Sequence, residues 1–178
     1  SDPYNIIWAY LVDPDGGDAP TVSAAIDMLL GQGAYTASGP LSPAPSINTQ
    51  WAIEVQAGRY QEPGVTGAGG RLVIPDWVTV RGRGWDATEL FVLGIDMNGA
   101  GRALESVFVT APEGQSMPVV NLNGAMYSYV RECKFELMMC FAAVDMSNAM
   151  NCGVMESYFT LIGPGTCNGI IVSGMHDS

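Results

Sequence analysis

Three segments of the chain superimpose on one another: LESVFVT from Leu104, VRECKFEL from Val130 and VMESYFTL from Val154. They place Glu105, Glu132 and Glu156 in one column and Phe108, Phe135 and Phe159 in another. Between them a second set recurs, VVNLNG from Val119, AAVDMSN from Ala142 and GIIVSG from Gly169, at a similar period of roughly two dozen residues. A unit this small cannot bury an apolar face alone, so it must stack on its neighbours. With at least two short strands per repeat, stacking predicts an all-β parallel β-helix. A leucine-rich repeat would show Leu-x-Leu-x-x-Asn, which is absent. Within VRECKF the apolar positions Val130, Cys133 and Phe135 are spaced three and then two apart, so simple alternation slips by one. A bend near Glu132 explains the slip, because it lets all three face inward.

Upstream, Thr21–Leu30 places Val22, Ala25, Ile26, Leu29 and Leu30 on one helical face, and Gly31 offers a stop. The open first coil of a solenoid exposes unpaired backbone and apolar core, and this amphipathic helix is positioned to cap it. Residues 34–50 are rich in Pro, Ser, Thr and Ala without periodicity and read as an exposed loop. After Trp51 the apolar runs are short and separated by turns, from WAIEV through GIIV. The expected organisation is one β-helix domain over 1–178, with a capping N-terminal segment over 1–50 and coils over 51–178. A further coil begins in GIIVSGMHDS with no closing segment, so the chain is expected to be part of a longer protein.

Hydrophobic residues make up 48% and charged ones only 14%, with 22 glycines and 11 prolines, which favours short strands joined by many turns over an α/β pattern. The formal charge of −11 repels phosphate backbones and anionic lipid, so nucleic acid and membrane surfaces are not expected partners. The apolar run from Leu137 to Val144 falls far short of the ~20 residues of a membrane helix. Cys133, Cys140, Cys152 and Cys167 fit neither a metal knuckle nor a dense disulfide scaffold. They read mostly as buried small apolar residues, with pairing left open.

The chain also resembles a known family. Asp15-Gly16 leads into the capping helix, then comes Gly58-Arg59-Tyr60-Gln61-Glu62, then Gly82-Arg83-Gly84 with Thr88. This order resembles the opening of pectin lyase-like right-handed β-helices, which include pectin methylesterases and many phage tailspike and virion proteins. The resemblance covers about Val12 to Leu90 and implies a right-handed, single-stranded parallel β-helix with Gly58, Tyr60 and Glu62 as fold-determining residues. It does not carry over the methylesterase chemistry. Pro118 stands where the family has its catalytic glutamine, the stretches from Cys140 and Phe159 lack the two catalytic aspartates, and no Gly-Arg-Pro-Trp segment supplies the arginine.

Candidate chemistry is sparse. Glu105, Glu132 and Glu156, stacked on successive coils, would lie about 5 Å apart, close enough to raise a pKa or recruit a cation, or else they splay into water. Asp13, Asp15 and Asp18 have calcium-loop spacing but lack the downstream bidentate glutamate, so a solvated turn competes with a calcium site. Gly82-x-Gly84-x-x-Ala87 precedes a strand instead of a phosphate-binding helix, and His176 is the single histidine, which excludes a dinucleotide fingerprint and a Ser-His-Asp triad in turn. The methionines read as core filler. Trp77, Trp85 and Tyr127 are candidates for stacking on sugar rings.

With no catalytic residues and no required cofactor, calcium aside, the expected function is a non-enzymatic structural or receptor- and glycan-binding module. The resemblance places it in a phage virion, as a tailspike, fibre or decoration protein. Expected partners are copies of itself in a trimer, other virion proteins and cell-surface polysaccharide. The alternatives are a secreted polysaccharide-acting enzyme of the pectin esterase or lyase kind, and a bacterial surface adhesin or matrix protein.

Overall fold

Each repeat closes into one coil of three short strands, and the coils stack in parallel. The computed structural model describes residues 6–62, 70–163, 165 and 167–174. One sheet orders β1 (Ile6–Val12), β2 (Gln50–Val55), β5 (Val78–Arg81), β8 (Ala103–Glu105), β11 (Tyr129–Arg131) and β14 (Gly153–Met155). A second carries β3 (Gly58–Gln61), β6 (Thr88–Phe91), β9 (Phe108–Thr110), β12 (Lys134–Met138) and β15 (Tyr158–Ile162). A third carries β4 (Leu72–Val73), β7 (Ile95–Asp96), β10 (Val120–Asn121), β13 (Ala142–Asp145) and β16 (Asn168–Ile171). Every neighbouring pair runs parallel, so after the leading β1 the chain is a β-solenoid of five strand triplets.

Inward-facing side chains set the register. Leu104, Val107 and Val109 are fully buried, as are Val130, Cys133 and Phe135 one coil later, in the same three-then-two spacing. The ladder accordingly pairs Leu104 with Val130 and Val109 with Phe135. This corrects both columns expected from letter identity. Glu105 lies opposite Arg131, and Phe108 opposite Lys134, while Phe135 and Phe159 do pair and stack with ring centroids 5.0 Å apart. A shift of one residue would have turned the apolar set outward, so burial outweighs the matching letters.

The bend expected near Glu132 is a left-handed residue. Ser106, Glu132 and Glu156 have φ of 57°, 51° and 49° and turn the chain from the first sheet into the second. A second corner, from the third sheet into the first, uses Trp77, Gly101, Tyr127 and Asn151 at φ of 61°, 64°, 52° and 51°. L-residues other than glycine resist this conformation, so its recurrence coil after coil reflects inter-coil hydrogen bonds holding each corner, such as Ser106 N–H to Arg131 O and Glu132 N–H to Met155 O.

The N-terminal segment does more than cap. Its β1 extends the first sheet by a sixth strand, which the sequence reading had not separated from the cap, and a 3-10 turn over Gly33–Ser38 occupies part of the expected loop. The helix α1 (Val22–Leu30) starts where expected: Thr21 Oγ1 accepts the Ala24 N–H at 3.1 Å, and Gly31 ends it at φ 64°. Val22, Ala25, Ile26 and Leu29 are buried against the first coil, whereas Leu30 is only half-buried.

Two residues of the Gly-x-Tyr-x-Glu stretch tie this helix to the coils. Glu62, 3% exposed, accepts the Val22 N–H on Oε1 at 2.9 Å and the Ser23 N–H on Oε2 at 3.0 Å. A helix start leaves its first N–H groups unpaired, and its dipole favours an anion there. Burial still raises the Glu62 pKa, against the opposing effect of those two N–H groups. The Tyr60 ring is buried and its hydroxyl lies 2.9 Å from Gln56 O and 3.1 Å from Val12 O, shared between two acceptors; burial and the nearby Asp13 and Asp15 push its pKa up to about 12.

At the far end, Cys140 and Cys167 form a disulfide between the last two coils, while Cys133 is a buried thiol and Cys152 a half-buried one. The inward positions of the last coil, Val154, Phe159 and Leu161, are half-buried, and Ile170 is 42% exposed.

Replacing Glu62 with alanine should leave two helix N–H groups without partners and cost about 2–3 kcal/mol in urea unfolding. Because burial raises its pKa, the pH-dependent part of what Glu62 contributes is complete below about pH 4.3 and is lost as pH rises through the folded value. The wild-type curve minus that of Glu62→Gln should therefore fall with rising pH, and a rise would contradict the burial argument. Reducing the disulfide, whose residues are 27 apart, should lower stability by about 3.5 kcal/mol, read as a shift in the unfolding midpoint.

Candidate functional site

The corner between the first and second sheets brings together Glu132, Glu156 and Trp85, which the sequence singled out separately. Adjacent coils are about 4.8 Å apart, so Ser106, Glu132 and Glu156 project from one corner at that interval. Ser106 Oγ donates to Glu132 Oε2 at 3.1 Å, and Arg131 Nη2 lies 3.6 Å from Glu132 Oε1. Glu132 and Glu156, one coil apart, line the same corner. The Ser106 hydroxyl first, then the Glu156 carboxyl and the Arg131 guanidinium, hold the Glu132 pKa below the ordinary glutamate value.

A loop folds over this corner. Between β5 and β6 the chain passes through Gly82-Arg83-Gly84, and Gly84 takes φ 130° with the Asp86 carboxylate close against its backbone. Arg83 N–H donates to Thr88 Oγ1 at 3.0 Å, which ties the turn to the start of β6. Trp85 thereby spans the coils and meets Tyr158 of the last one edge to face, with centroids 4.9 Å apart and planes at 86°. Tyr158 is 60% exposed. Loop and corner enclose an open cleft of about 540 Å³. It presents two aromatic rings, the carboxylates of Asp86, Glu132 and Glu156, and the Ser106 hydroxyl.

Other candidates lie elsewhere. Glu105 is buried on the first sheet, paired with Arg81 at 2.6 Å and accepting from the Tyr129 hydroxyl at 2.7 Å. It is a satisfied structural carboxylate, separate from Glu132 and Glu156. Trp77 and Tyr127 belong to the opposite corner, where the Trp77 ring packs over Gly101 so closely that a Cβ there would collide with it; Tyr127 is 56% exposed. Asp13 accepts the Asp15 N–H at 2.9 Å and Asp18 the Leu11 N–H at 2.8 Å, so two of that trio serve the turn's own backbone. Among the described residues no three acidic, histidine or cysteine side chains group as a cation site would require. His176 lies outside the described residues.

A second groove, of about 410 Å³, runs between α1 and β4 past Ile26, Leu30 and Leu72, and it offers no aromatic ring. The sequence reading missed Tyr158, Asp86 and Ser106. The signal for Ser106 was the inward spacing of Leu104 and Val107, which puts Ser106 in the column of Glu132. No local pattern joins Trp85 to Tyr158. No family model, curated protein or solved structure matches this chain.

The carboxyl pair makes a direct prediction. In carbon-detected NMR titrations the Glu132 carboxyl should titrate below the ordinary glutamate value, and Ser106→Ala should move it upward; an unchanged midpoint would mean that the hydroxyl contact does not form in solution.

Proposed function

We propose that this protein is a non-enzymatic β-helix module in which a rigid solenoid holds a saccharide-binding cleft at one corner. The observation that carries the reading is the Trp85–Tyr158 pair set beside three carboxylates and a hydroxyl in one open cleft. Aromatic faces stack on the C–H faces of sugar rings, and carboxylates accept hydrogen bonds from sugar hydroxyls. Tyr158 stands on β15, and the Arg83 N–H to Thr88 Oγ1 bond ties the Trp85 turn to β6, which limits the ordering that binding must supply.

The resemblance to pectin lyase-like β-helices supplies the setting. What supports it is that Asp15-Gly16 precedes the capping helix and that Tyr60 and Glu62 serve the packing of the first coils. On that footing the module belongs to a phage virion, as part of a tailspike, fibre or decoration protein, assembled as a homotrimer and directed at cell-surface polysaccharide. The Cys140–Cys167 bond suits a surface outside the reducing cytosol.

The enzymatic alternative would draw on Glu132 and Glu156. Glu132, whose pKa is held below the ordinary glutamate value, is poorly suited to the proton-donating role that such an enzyme needs.

Oligosaccharide array binding tests the reading. Wild-type protein should retain one or more saccharides, and Trp85→Ala should weaken them on the order of tenfold, about 1.4 kcal/mol, with its circular dichroism unchanged. Release of reducing ends or methanol from a polysaccharide would overturn the non-enzymatic assignment.

A further inference from the structure

We infer that Asn98 is a self-modifying site: in the folded protein its side chain is converted, without an enzyme, to aspartate and isoaspartate through attack by the Gly99 nitrogen. Three Asn-Gly steps occur in the chain, Asn98-Gly99, Asn123-Gly124 and Asn168-Gly169. Glycine has no side chain to shield its nitrogen, so all three steps are competent as sequence. The coils hold two of them and leave the third untied.

Asn98 and Asn123 occupy equivalent places after the third sheet, because Asp96 pairs with Asn121. At Asn123 the reacting groups are engaged. The Gly124 N–H donates to Ser147 O at 2.9 Å and the Asn123 N–H to Asn121 Oδ1 at 3.0 Å. The Asn123 amide donates to Asp145 Oδ2 at 3.2 Å and accepts from Asn148 Nδ2 at 3.4 Å. The next coil repeats the backbone pattern, with Ser147 N–H donating to Asp145 Oδ1 at 2.9 Å and Asn148 N–H to Ser173 O at 2.8 Å. Asn168 and Gly169 lie within β16, between the ladder pairs Ala142–Asn168 and Val144–Ile170, and the Asn168 amide donates to Phe141 O at 3.2 Å.

Asn98 is exposed, and among the described residues neither its amide nor the Gly99 N–H has a hydrogen-bond partner. Asp96, whose counterparts hold the backbone two residues on, is turned to Arg71 Nε at 2.8 Å instead. Chain length explains the difference. The stretch from Asp96 to Leu104 is one residue shorter than the paired stretches Asn121 to Val130 and Asp145 to Val154. Gly124 and Asn148 turn at φ of 74° and 57°, but Gly99 takes no left-handed conformation, and its N–H is not delivered to the next coil. Packing nonetheless requires glycine there, because Asp76 Oδ1 and Arg102 Nε lie 2.2 and 2.3 Å from where a Cβ would stand. The reactive step is therefore imposed by the coil and left open by it.

The reaction needs only water. The Gly99 nitrogen loses its proton to solvent and bonds to Asn98 Cγ, and the side-chain nitrogen leaves as ammonia. Water then opens the cyclic imide at either carbonyl, giving aspartate or isoaspartate at position 98. One water is consumed, one ammonia is released, and the surface gains a carboxylate in a chain whose formal charge is already −11.

The test is peptide mapping by mass spectrometry after the intact folded protein has stood in isotope-labelled water, since each imide that opens takes up one labelled oxygen. Expected is conversion at Asn98 roughly tenfold or more faster than at Asn123 or Asn168, with both aspartate and isoaspartate formed and the rate rising with pH. In the urea-unfolded chain the three steps should convert at similar rates, which separates the effect of the fold from that of the sequence. Asn98→Ala should remove the acidic species that the folded protein accumulates on isoelectric focusing. Equal rates at the three steps in the folded protein, or conversion at Asn123 or Asn168 ahead of Asn98, would overturn the inference.

Discussion

Each coil must set its inward side chains above those of the coil before it, and almost everything else in this protein follows from that constraint. A coil is too thin to bury its own apolar face, so its stability comes from its neighbours. The spacing of Leu104, Val107 and Val109 is repeated by Val130, Cys133 and Phe135 because a left-handed residue, Ser106 and then Glu132, follows the first-sheet strands β8 and β11. Those corner residues cannot turn inward, so they form outward columns, and whatever chemistry the sequence assigns to them becomes a vertical strip on the surface. The Ser106, Glu132 and Glu156 strip is the one that the Trp85 loop covers.

The same stacking creates a problem at the first coil, and the N-terminal segment answers it with backbone and side chains together. The β1 strand completes the edge of the first sheet, and α1 covers the core. Glu62 then joins the two systems, since it leaves the end of β3 and accepts the first N–H groups of the helix. Tyr60 acts in parallel through Val12 and Gln56. A stretch that looks like an enzyme signature thus serves closure of the solenoid.

The fold was legible in the sequence because its signals are local or periodic: the helix with Thr21 and Gly31 at its ends, the two-dozen-residue repeat, and the slip in VRECKF. The column of three glutamates was misread by one residue at Glu105, where matching letters competed with the inward spacing and burial decided. The β1 strand escaped notice because it precedes the repeats and has no counterpart to align with. The cleft was only half legible. Trp85, Glu132 and Glu156 were candidates on separate grounds, but their meeting depends on how many coils a loop spans, and Tyr158 joins them through that geometry alone.

The Cys140–Cys167 bond has a mechanical consequence. Load applied along a solenoid's axis falls on the ladders between coils, which can peel from an end one coil at a time. The fourth and fifth coils are joined by a covalent bond in addition to their ladders. Peeling that reaches this pair of coils is therefore arrested there. Tyr158, which belongs to the fastened coil, keeps its place beside Trp85 under tension.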